Sequence, residues 1–341
     1  MQTGSLHRHL QEFRSGLDLR PDEAEAFFDA LIAETDEAIL IDILRAWETK
    51  GVAEEELFAL ASILRKRMVR INTHHESFVD AVGTGGSRAK TFNVSTAAAF
   101  VIAGAGIPVA KHGNRAATSN SGSADVLSEL GIKVDIEPSH AEECLNRLGI
   151  CFMFAPKFHS LSTVLARVRR ELGRPTIFNN LGPLCNPAGA PHQLIGVWHR
   201  DLVETTANVL ARLGTARSWV VHGDDGLDEI SLNGKTFVAE VLGADVKSFE
   251  ISAGDFGVDK TGGDFPTRSL PAESARLIRD ILENNLPGAP SENLVLINAA
   301  AAIYLAGAAE NLTKAFVTAS ESIRSGSALE KMNSLLVETN K

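Results

Sequence analysis

Residues 83–86 read GTGG and stand between a short, mostly apolar segment at 78–82 and an apolar helical pattern at 97–105. Glycine has no Cβ, so such a stretch allows a sharp turn whose backbone N–H groups point into a pocket. A strand, a glycine turn and a helix in this order predict a βα unit with an anion site at the helix N-terminus. The spacing is not the G-x-G-x-x-G dinucleotide fingerprint, and no Gly-Lys-Ser/Thr ends it as in nucleoside-triphosphate loops.

Two further polar blocks follow the glycine turn, KHGNR at 111–115 and SNSGS at 119–123. The first block supplies cationic and amide donors, and the second opens the next helical pattern with three hydroxyls. Ser95 and Thr96 stand at the start of the preceding helical pattern, where free N–H groups and the helix dipole favour a phosphate. A glycine turn alone is also typical of an ordinary strand-to-helix connection, but the three blocks together predict a site for a phosphorylated sugar.

The chain has 341 residues, 44% of them hydrophobic and 22% charged, which is typical of a soluble globular protein with one large or two modest domains. Its net charge of −10 argues against a general nucleic-acid-binding surface. No apolar run reaches the roughly 18 residues needed to span a membrane, and the polar segment 1–20 is not a secretory signal. Cys144, Cys151 and Cys185 are too few and too scattered for a disulfide framework, so we expect the protein to be located in the reducing cytoplasm.

Residues 1–75 carry only helical periodicity, which predicts a small bundle with helices at 36–49 and 53–69 among others. From about residue 77, strand patterns alternate with helical ones, which predicts an α/β domain with a mainly parallel central sheet flanked by helices. The predicted strands lie at 77–82, 107–110, 133–136, 151–154, 193–197, 217–222, 235–240 and 246–251. The fold class is therefore α/β, with a small N-terminal α-helical domain and a larger α/β domain. Residues 159–185 read as a helix and a Pro/Gly-rich connector, predicted to cross back toward the helical bundle.

Four segments of the chain resemble the anthranilate phosphoribosyltransferases: GTGG at 83–86, NVSTA at 93–97, VAKHGNR at 109–115 and SGSADVLSELG at 121–131. The resemblance continues through FMFAPKFH at 152–159, VRRELGRPTIFNNLGPLCNP at 168–187, LIGV at 194–197, VVHGDDGLDEIS at 220–231 and DFG at 255–257. The resemblance covers essentially the whole chain, and its most specific parts are KHGNR and the paired acids Asp228 and Glu229.

This resemblance implies a pentosyltransferase that moves the phosphoribosyl group of phosphoribosyl pyrophosphate onto the amine of anthranilate in a Mg²⁺-dependent reaction. The products are N-(5-phosphoribosyl)anthranilate and pyrophosphate, and the reaction is the second step of tryptophan biosynthesis. The resemblance also implies a helical domain of residues 1–75 with part of 159–190, and an α/β phosphoribosyl pyrophosphate-binding domain of 76–158 and 191–341. The active site is expected in the cleft between the two domains, and a homodimer is expected through the helical domain.

The resemblance assigns substrate and metal contacts residue by residue. Predicted to bind phosphoribosyl pyrophosphate are residues of the glycine turn, the helix start and the two polar blocks: Gly83, Thr84, Gly85, Gly86, Ser87, Thr91, Asn93, Ser95, Thr96, Lys111, Gly113, Asn114, Ser121 and Ser123. The predicted anthranilate contacts are Gly83, His112, Asn114, His159 and Arg169, and the predicted metal ligands are Ser95, Asp228 and Glu229. No catalytic nucleophile is expected, because the donor carbon ionises through an oxocarbenium-like transition state and the site mainly needs alignment and charge neutralisation.

Three of these assignments have an alternative interpretation in the sequence. Asp228 and Glu229 follow a predicted strand and offer hard oxygen ligands at a sheet edge, but taken alone they slightly favour a solvated acidic loop. Arg169 suits a carboxylate with its planar fork, although its basic neighbours make the helix resemble an ordinary basic face. His112 is equally compatible with core packing and with contact to the aromatic acid.

One position departs from the family pattern. Family members usually have Asp directly after GTGG, whereas this chain has Ser87, followed by Arg88 and Lys90. An acid at that position can contact the pyrophosphate–magnesium region, so its loss leaves the metal stoichiometry open. Arg88 and Lys90 either add positive charge near the leaving group or point into solvent.

Two other functions are compatible with the same fold. A nucleoside phosphorylase would carry Lys-x-Ser-x-Gly-Gly before the glycine loop, and this sequence lacks it. A paralogue that binds nucleic acid and has lost transferase activity would be basic along a groove and would lack KHGNR or the paired acids. This chain is acidic and keeps both motifs, so the transferase is the favoured hypothesis and nucleic acid is not an expected partner.

Overall fold

The computed structural model describes residues 3–87, 89, 91–116, 121–258, 265–266 and 269–341. Arg88, Lys90, Ser119 and Asn120, for which the sequence suggests roles, lie outside the described residues. Within these ranges, no helix combines the length and the apolar character that crossing a membrane requires.

The N-terminal part folds into four helices, α1 (Thr3–Arg14), α2 (Ala24–Ala33), α3 (Glu37–Lys50) and α4 (Glu54–Arg67). Asp36 starts α3, because its carboxylate accepts the N–H of Ala38 at 2.9 Å, and Gly51 ends that helix with a φ of 91°. The apolar faces of these helices meet in one core, which buries Phe27, Leu31, Leu40, Ile43 and Trp47. The helices predicted at 36–49 and 53–69 are confirmed.

A seven-stranded sheet has the strand order β3-β2-β1-β4-β5-β6-β7. Its strands are β1 (Val79–Gly83), β2 (Val109–Gly113), β3 (Ile150–Phe154), β4 (His192–Gly196), β5 (Arg217–Gly223), β6 (Lys235–Leu242) and β7 (Asp245–Ser252). β1 to β5 run parallel, because helices connect them, whereas β6 and β7 form an antiparallel hairpin at one edge. The predicted, mainly parallel sheet is confirmed, and β1 lies in the middle of its parallel part.

Helices flank this sheet, as the alternating sequence pattern predicts. They are α5 (Val94–Gly104), α6 (Ser123–Glu129), α7 (Pro138–Leu148), α8 (Ala155–Phe158), α9 (Thr163–Leu172), α10 (Ile177–Leu184), α11 (Leu202–Arg212), α12 (Pro271–Leu282), α13 (Pro290–Leu305), α14 (Leu312–Arg324) and α15 (Ser327–Thr339). α5 and α13 pack on each other and are buried on nearly every side, because their sequences are almost free of charged residues.

Residues 159–185 return to the N-terminal bundle, as predicted. α9 packs on α3, and α10 packs on α4. Leu181 and Leu184 of α10 share one apolar core with the N-terminal helices, and this core also includes Ile195 and Val220 of the sheet. The helical bundle is therefore continuous with one face of the sheet, and the division into two domains stays a prediction.

The strand predicted at 133–136 is wrong. Val134 and Ile136 are buried and Lys133 is exposed, so the period-two pattern of the sequence is real. However, the segment pairs with no strand in the described part of the chain, and the N–H of Lys133 donates to Thr339 Oγ1 at 3.2 Å. The alternation arises because one side of an extended segment packs on the core beside the end of α15.

Candidate active site

Four parallel strands end in glycine at one edge of the sheet: β1 at Gly83, β2 at Gly113, β4 at Gly196 and β5 at Gly223. The register places Gly83 opposite Gly196, so these strand ends lie side by side. Open α/β sheets usually bind their ligands at such carboxyl ends. The glycine turn begins at the end of β1, KHGNR spans the end of β2, and the paired acids follow β5 by five residues, which brings the motifs of the sequence to one edge.

The glycine turn fits closely against Asp228. A Cβ at Gly196 would lie 1.6 Å from the carbonyl oxygen of Asp228, and a Cβ at Gly83 would lie 2.9 Å from its Oδ2 atom. Gly85 has a φ of 65° and donates its N–H to Asp228 Oδ2 at 3.0 Å. Glycine is therefore needed at 83 and 196 for close approach, and at 85 for the left-handed backbone conformation.

Ser87 connects the glycine turn with the acidic loop. This side chain is 3% exposed, and its hydroxyl contacts the carbonyl oxygen of Ala89 at 2.8 Å and that of Gly226. Since a hydroxyl has a single proton, the two carbonyl oxygens share it. The position after GTGG therefore faces the loop that carries the paired acids rather than open solvent.

α10 contacts both the glycine turn and His112 of β2. Asn179 donates its Nδ2 to the carbonyl of Thr84 at 3.0 Å, and the Gly182 carbonyl lies 3.1 Å from Nδ1 of His112. Asn179 is not among the contacts predicted from the sequence. Its one signal is the capping-box spacing with Thr176, which indicates a helix start but not a contact with the turn.

Lys111 is 3% exposed, so it is not a surface lysine. Its Nζ donates to the Ala81 carbonyl at 2.7 Å and to Ser95 Oγ at 3.3 Å. Burial lowers the pKa of Lys111 to about 8, and the neighbouring Asp80 opposes that shift. Burial raises the pKa of Asp80 to about 6, and Lys111 and the Asn186 amide oppose it. At pH 7 both groups are mostly charged, and the ammonium group lies at the start of α5 beside Ser95.

The polar blocks of the sequence meet around the start of α5. Ser121 Oγ donates to Asn93 Oδ1 at 2.6 Å, and Asn93 Nδ2 donates to the Ser121 carbonyl at 3.4 Å. Gly113 has no room for a side chain, because a Cβ there would lie 2.2 Å from Ser123 Oγ. Thr96 Oγ1 is buried and has no hydrogen-bond partner among the described residues. A buried hydroxyl at a helix N-terminus without a partner is what a phosphate site would leave in the absence of its ligand.

The other predicted contacts of the donor substrate differ in their surroundings. Thr84 Oγ1 is buried and, like Thr96, unpaired within the described ranges. Gly86 lies so close to the connector before α10 that a Cβ would be 2.6 Å from Pro175. The Thr91 hydroxyl donates to the next carbonyl at 2.9 Å, and Asn114 is exposed, with its Oδ1 accepting the next N–H at 2.8 Å.

Asp228 and Glu229 line a cavity of about 20 Å³ together with Ser95 and Asn298. Such a volume holds a single water molecule or a small ion. Glu229 Oε2 is buried and makes no hydrogen bond to any described residue. Burial, followed by the carboxylates of Asp228 and Asp225, raises the pKa of Glu229 well above its ordinary value. A divalent cation bound through hard oxygen ligands would relieve this repulsion, so the residues present fit Mg²⁺.

His112 and His159 form a buried pair beside α10. Their Nε2 atoms lie 3.3 Å apart, and burial lowers the pKa of His112 to about 3 and the pKa of His159 to about 4. Both rings are therefore neutral at pH 7. Because the Gly182 carbonyl only accepts, His112 carries its proton on Nδ1 and His159 donates from Nε2.

The neutral pair makes folding sensitive to acid. Below pH 6.5 the unfolded chain protonates both histidines while the folded protein does not, so the free energy of unfolding falls as the pH falls. At pH 5 we expect a loss of about 2 kcal/mol per histidine relative to pH 7. Urea unfolding of the wild type and of the His112→Asn/His159→Asn double variant at both pH values measures it. Equal losses in the two proteins would contradict the assignment.

Arg169 behaves differently from its basic neighbours on α9. Arg167 pairs with Glu37 at the bundle surface, whereas the guanidinium carbon of Arg169 lies 5.0 Å from the ring centre of Phe178 in α10. Its Nε atom is buried and has no partner among the residues described. Burial lowers its pKa to about 10, so it remains cationic at pH 7. A half-buried cation whose Nε is buried and has no partner among the described residues indicates a site for an anionic group, which favours the ligand interpretation over an ordinary basic face.

Comparisons with known proteins identify the family. A family model described as "Glycosyl transferase family, a/b domain" matches residues 75–329. The anthranilate phosphoribosyltransferase of Moorella thermoacetica is 41% identical over 332 residues, which cover 97% of this chain and 97% of that protein. The protein of the same name from Clostridium kluyveri is 41% identical over 332 residues, covering 97% and 98% of the two chains. This chain belongs to the anthranilate phosphoribosyltransferase family.

Solved anthranilate phosphoribosyltransferases share the fold described above. The enzyme from Thermus thermophilus superposes with a TM-score of 0.87 at 34% identity, covering 98% of this chain and 99% of that one. The enzyme from Saccharomyces cerevisiae, in complex with PRPP (phosphoribosyl pyrophosphate) and Mg, gives a TM-score of 0.88 at 26% identity, covering 99% and 98%. Membership of the anthranilate phosphoribosyltransferase family supports the transferase hypothesis and gives no support to the phosphorylase or the nucleic-acid-binding paralogue.

Proposed function

We propose that this protein transfers the phosphoribosyl group of phosphoribosyl pyrophosphate to the amine of anthranilate, giving N-(5-phosphoribosyl)anthranilate and pyrophosphate. This is the second step of tryptophan biosynthesis. The observation that carries the proposal is that α10 joins two different half-sites. Asn179, near the start of α10, holds the glycine turn beside the paired acids, and its neighbour Phe178 packs against the guanidinium of Arg169, whose Nε has no partner among the described residues. A phosphate site and a carboxylate site on one short helix suit these two substrates.

The donor half of the site binds and orients a polyanion. The hydroxyls of Thr84 and Thr96 lie at the glycine turn and the start of α5, and they lack partners within the described chain. Lys111 supplies a fixed cation beside Ser95. Magnesium, when bound by Ser95, Asp228 and Glu229, would neutralise the departing pyrophosphate. The residues of this half therefore fix the direction in which the leaving group departs.

The acceptor half of the site binds an aromatic acid. Arg169 offers its planar fork to the carboxylate of anthranilate, and the neutral ring pair of His112 and His159, which contacts α10 through Gly182, provides an uncharged surface. Gly83 and Asn114 are the predicted contacts that the two substrates share. Since the donor carbon ionises readily, holding the amine in line with it is the main contribution of the protein, and no protein nucleophile is needed.

Two properties of the whole protein complete the proposal. The buried, free thiols of Cys144, Cys151 and Cys185 suit the reducing cytoplasm expected from the sequence. The family resemblance supports a homodimer formed through the N-terminal helices. Light scattering of the purified protein tests this assembly, and a monomer at micromolar concentration would contradict it.

A steady-state assay tests the function. We expect the product to accumulate only when phosphoribosyl pyrophosphate, anthranilate and Mg²⁺ are all present. Parallel thermal-shift measurements with phosphoribosyl pyrophosphate, nucleosides and single-stranded DNA separate the three hypotheses. Stabilisation by DNA alone, or cleavage of a nucleoside by phosphate, would overturn the proposal.

Arg169→Ala is expected to weaken the anthranilate side of the reaction. Losing a charged hydrogen-bond donor costs about 1.5–3 kcal/mol, which corresponds to a roughly 10- to 100-fold higher Michaelis constant for anthranilate. The constant for phosphoribosyl pyrophosphate should change little. Arg170→Ala is a matched control, because that neighbour on the same helix is exposed. A rise confined to the phosphoribosyl pyrophosphate constant would contradict the role of Arg169.

Ser87→Asp is expected to introduce or deepen inhibition at millimolar Mg²⁺, while the native protein tolerates such concentrations. A carboxylate at this position would face the carbonyl oxygens of Ala89 and Gly226 and add a hard, charged ligand next to the acidic loop. Magnesium titrations at saturating anthranilate measure the effect, with Ser87→Asn as an uncharged control of similar size. Superimposable curves for the native protein and the Ser87→Asp variant would remove this position from metal handling.

A further inference from the structure

Asn298 lies in the middle of the buried helix α13 and is 3% exposed. Its Oδ1 accepts the N–H of Ile230 at 2.9 Å, and its Nδ2 donates to the carbonyl of Ile230 at 3.1 Å. The same Nδ2 donates to the Leu294 carbonyl at 2.9 Å. One side chain therefore holds both backbone groups of a single residue, and both the oxygen and the nitrogen of the amide are hydrogen-bonded.

The residue held in this way directly follows the paired acids. Glu229 Oε2 makes no hydrogen bond within the described chain, so the direction of this carboxylate depends on the backbone on either side of it. On the C-terminal side, that backbone is attached to Asn298 through Ile230. Asn298 and Glu229 also line the same cavity.

The other end of the segment 228–230 is fixed by packing. The carbonyl oxygen of Asp228 lies only 1.6 Å from the position that a Cβ at Gly196 would occupy. α13, which carries Asn298, packs on β4, which carries Gly196, and on α5, which carries Ser95. The buried helix α13 therefore contacts Ile230 at one end of the acidic segment, the strand that packs against its other end, and the helix that carries Ser95, the third predicted metal ligand.

We propose that Asn298 is a positioning residue for the metal-binding carboxylates, which holds Ile230 so that Glu229 points into the cavity beside Ser95. This inference rests on the metal role proposed for Asp228 and Glu229. Glu229 Oε2 has no hydrogen-bond partner within the described chain, so a loosely held backbone would let this side chain turn away whenever no cation is present. Fixing Ile230 prevents that rotation and keeps the ligand geometry in place before the cation arrives.

Asn298→Leu tests the proposal, because it removes both bonds to Ile230 with little change in side-chain volume. Partners that orient metal ligands change metal affinity by about 10- to 100-fold when they are removed. We therefore expect the affinity for pyrophosphate in the presence of Mg²⁺, measured by calorimetry, to fall about 10- to 100-fold. The Mg²⁺ concentration at half-maximal binding should rise, and the Michaelis constant for anthranilate should stay unchanged.

A second variant covers the case in which the first does not fold. Asn298→Ala leaves space for water to satisfy the N–H and C=O of Ile230, so the fold is kept without a fixed attachment. If Asn298→Leu shows no cooperative thermal transition, this variant decides, and we expect the same direction of change in magnesium-dependent pyrophosphate binding. Native affinity in a folded Asn298 variant would overturn the proposal.

Asn293→Leu is the matched control on the same helix. Asn293 is also buried, at 8% exposed, but its Nδ2 donates to the Gly288 carbonyl at 3.2 Å and not to the acidic segment. Its magnesium dependence should match the wild type, and an equal loss in this control would overturn the specific role of Asn298. A wild-type protein that binds no magnesium pyrophosphate would instead contradict the proposed function itself.

Discussion

Replacing both Asp228 and Glu229 by Ala is expected to abolish turnover at every Mg²⁺ concentration. The pyrophosphate would then leave without the counter-charge that the two carboxylates hold in place. The melting temperature should stay the same or rise, because the change removes a buried carboxylate whose pKa is raised by burial and by its acidic neighbours. Product formation and thermal unfolding, measured on the same preparation, check both parts of this expectation.

A control in the same loop distinguishes the loss of the metal ligands from the loss of any acidic residue of that loop. Asp224 is exposed and lies four residues before Asp228, so Asp224→Ala should keep native turnover and a native magnesium dependence. Near-normal activity of the Asp228→Ala/Glu229→Ala protein would show that the metal is held elsewhere.

Lys111→Met is expected to have the second-largest effect. Met replaces the buried ammonium by an uncharged side chain of similar length, which removes the cation at the start of α5 and leaves Asp80 buried without its counter-charge. Removing a buried cation that donates to Ala81 and Ser95, and whose charge opposes the raised pKa of Asp80, costs about 2–5 kcal/mol, which is roughly 30-fold to several thousand-fold in an equilibrium constant. We expect losses of this size in kcat/KM for phosphoribosyl pyrophosphate and, separately, in the free energy of unfolding at pH 7.

The two losses respond differently to pH and to a second substitution. In the Lys111→Met protein the pKa of Asp80 stays above its unfolded value, so the stability deficit should shrink as the pH falls and Asp80 becomes neutral. Asp80→Asn added to Lys111→Met should restore much of the stability but not the binding of phosphoribosyl pyrophosphate. Lys157→Met is the control for the loss of a lysine, because Lys157 is partly exposed and pairs with Glu137. Full recovery of both properties in the double variant would leave Lys111 without a role in substrate binding.

The elements and their order could be predicted from the sequence because their signals are local. Apolar runs and glycines indicate β1, β2 and β4 and the turns after them, and parallel pairing then brings the turns to one edge. The segment 133–136 shows the limit of that reasoning. Alternating burial requires only one packed side, whereas a strand also requires a neighbour with free backbone groups, and here the neighbour of Lys133 is the Thr339 hydroxyl.

The positions that organise the site could not be predicted, because their partners lie far away in the chain. Asn179 contacts Thr84 across 95 positions, and Asn298 contacts Ile230 across 68. An Asn in a helical pattern gives no sign of which distant backbone it will hold. The same limit applies to Arg169, whose burial depends on the packing of α9 near α10 and not on the basic residues around it.

The placement of α10 between the two half-sites has a thermodynamic consequence. A bound acceptor that immobilises this helix lowers the conformational entropy left to be lost when the donor turn closes around its polyanion. By reciprocity, a bound donor lowers the corresponding cost for the acceptor by the same factor. We therefore expect the two substrates to be linked through the eight residues Ile177–Leu184, and the affinity for each one to depend on whether the other is already present.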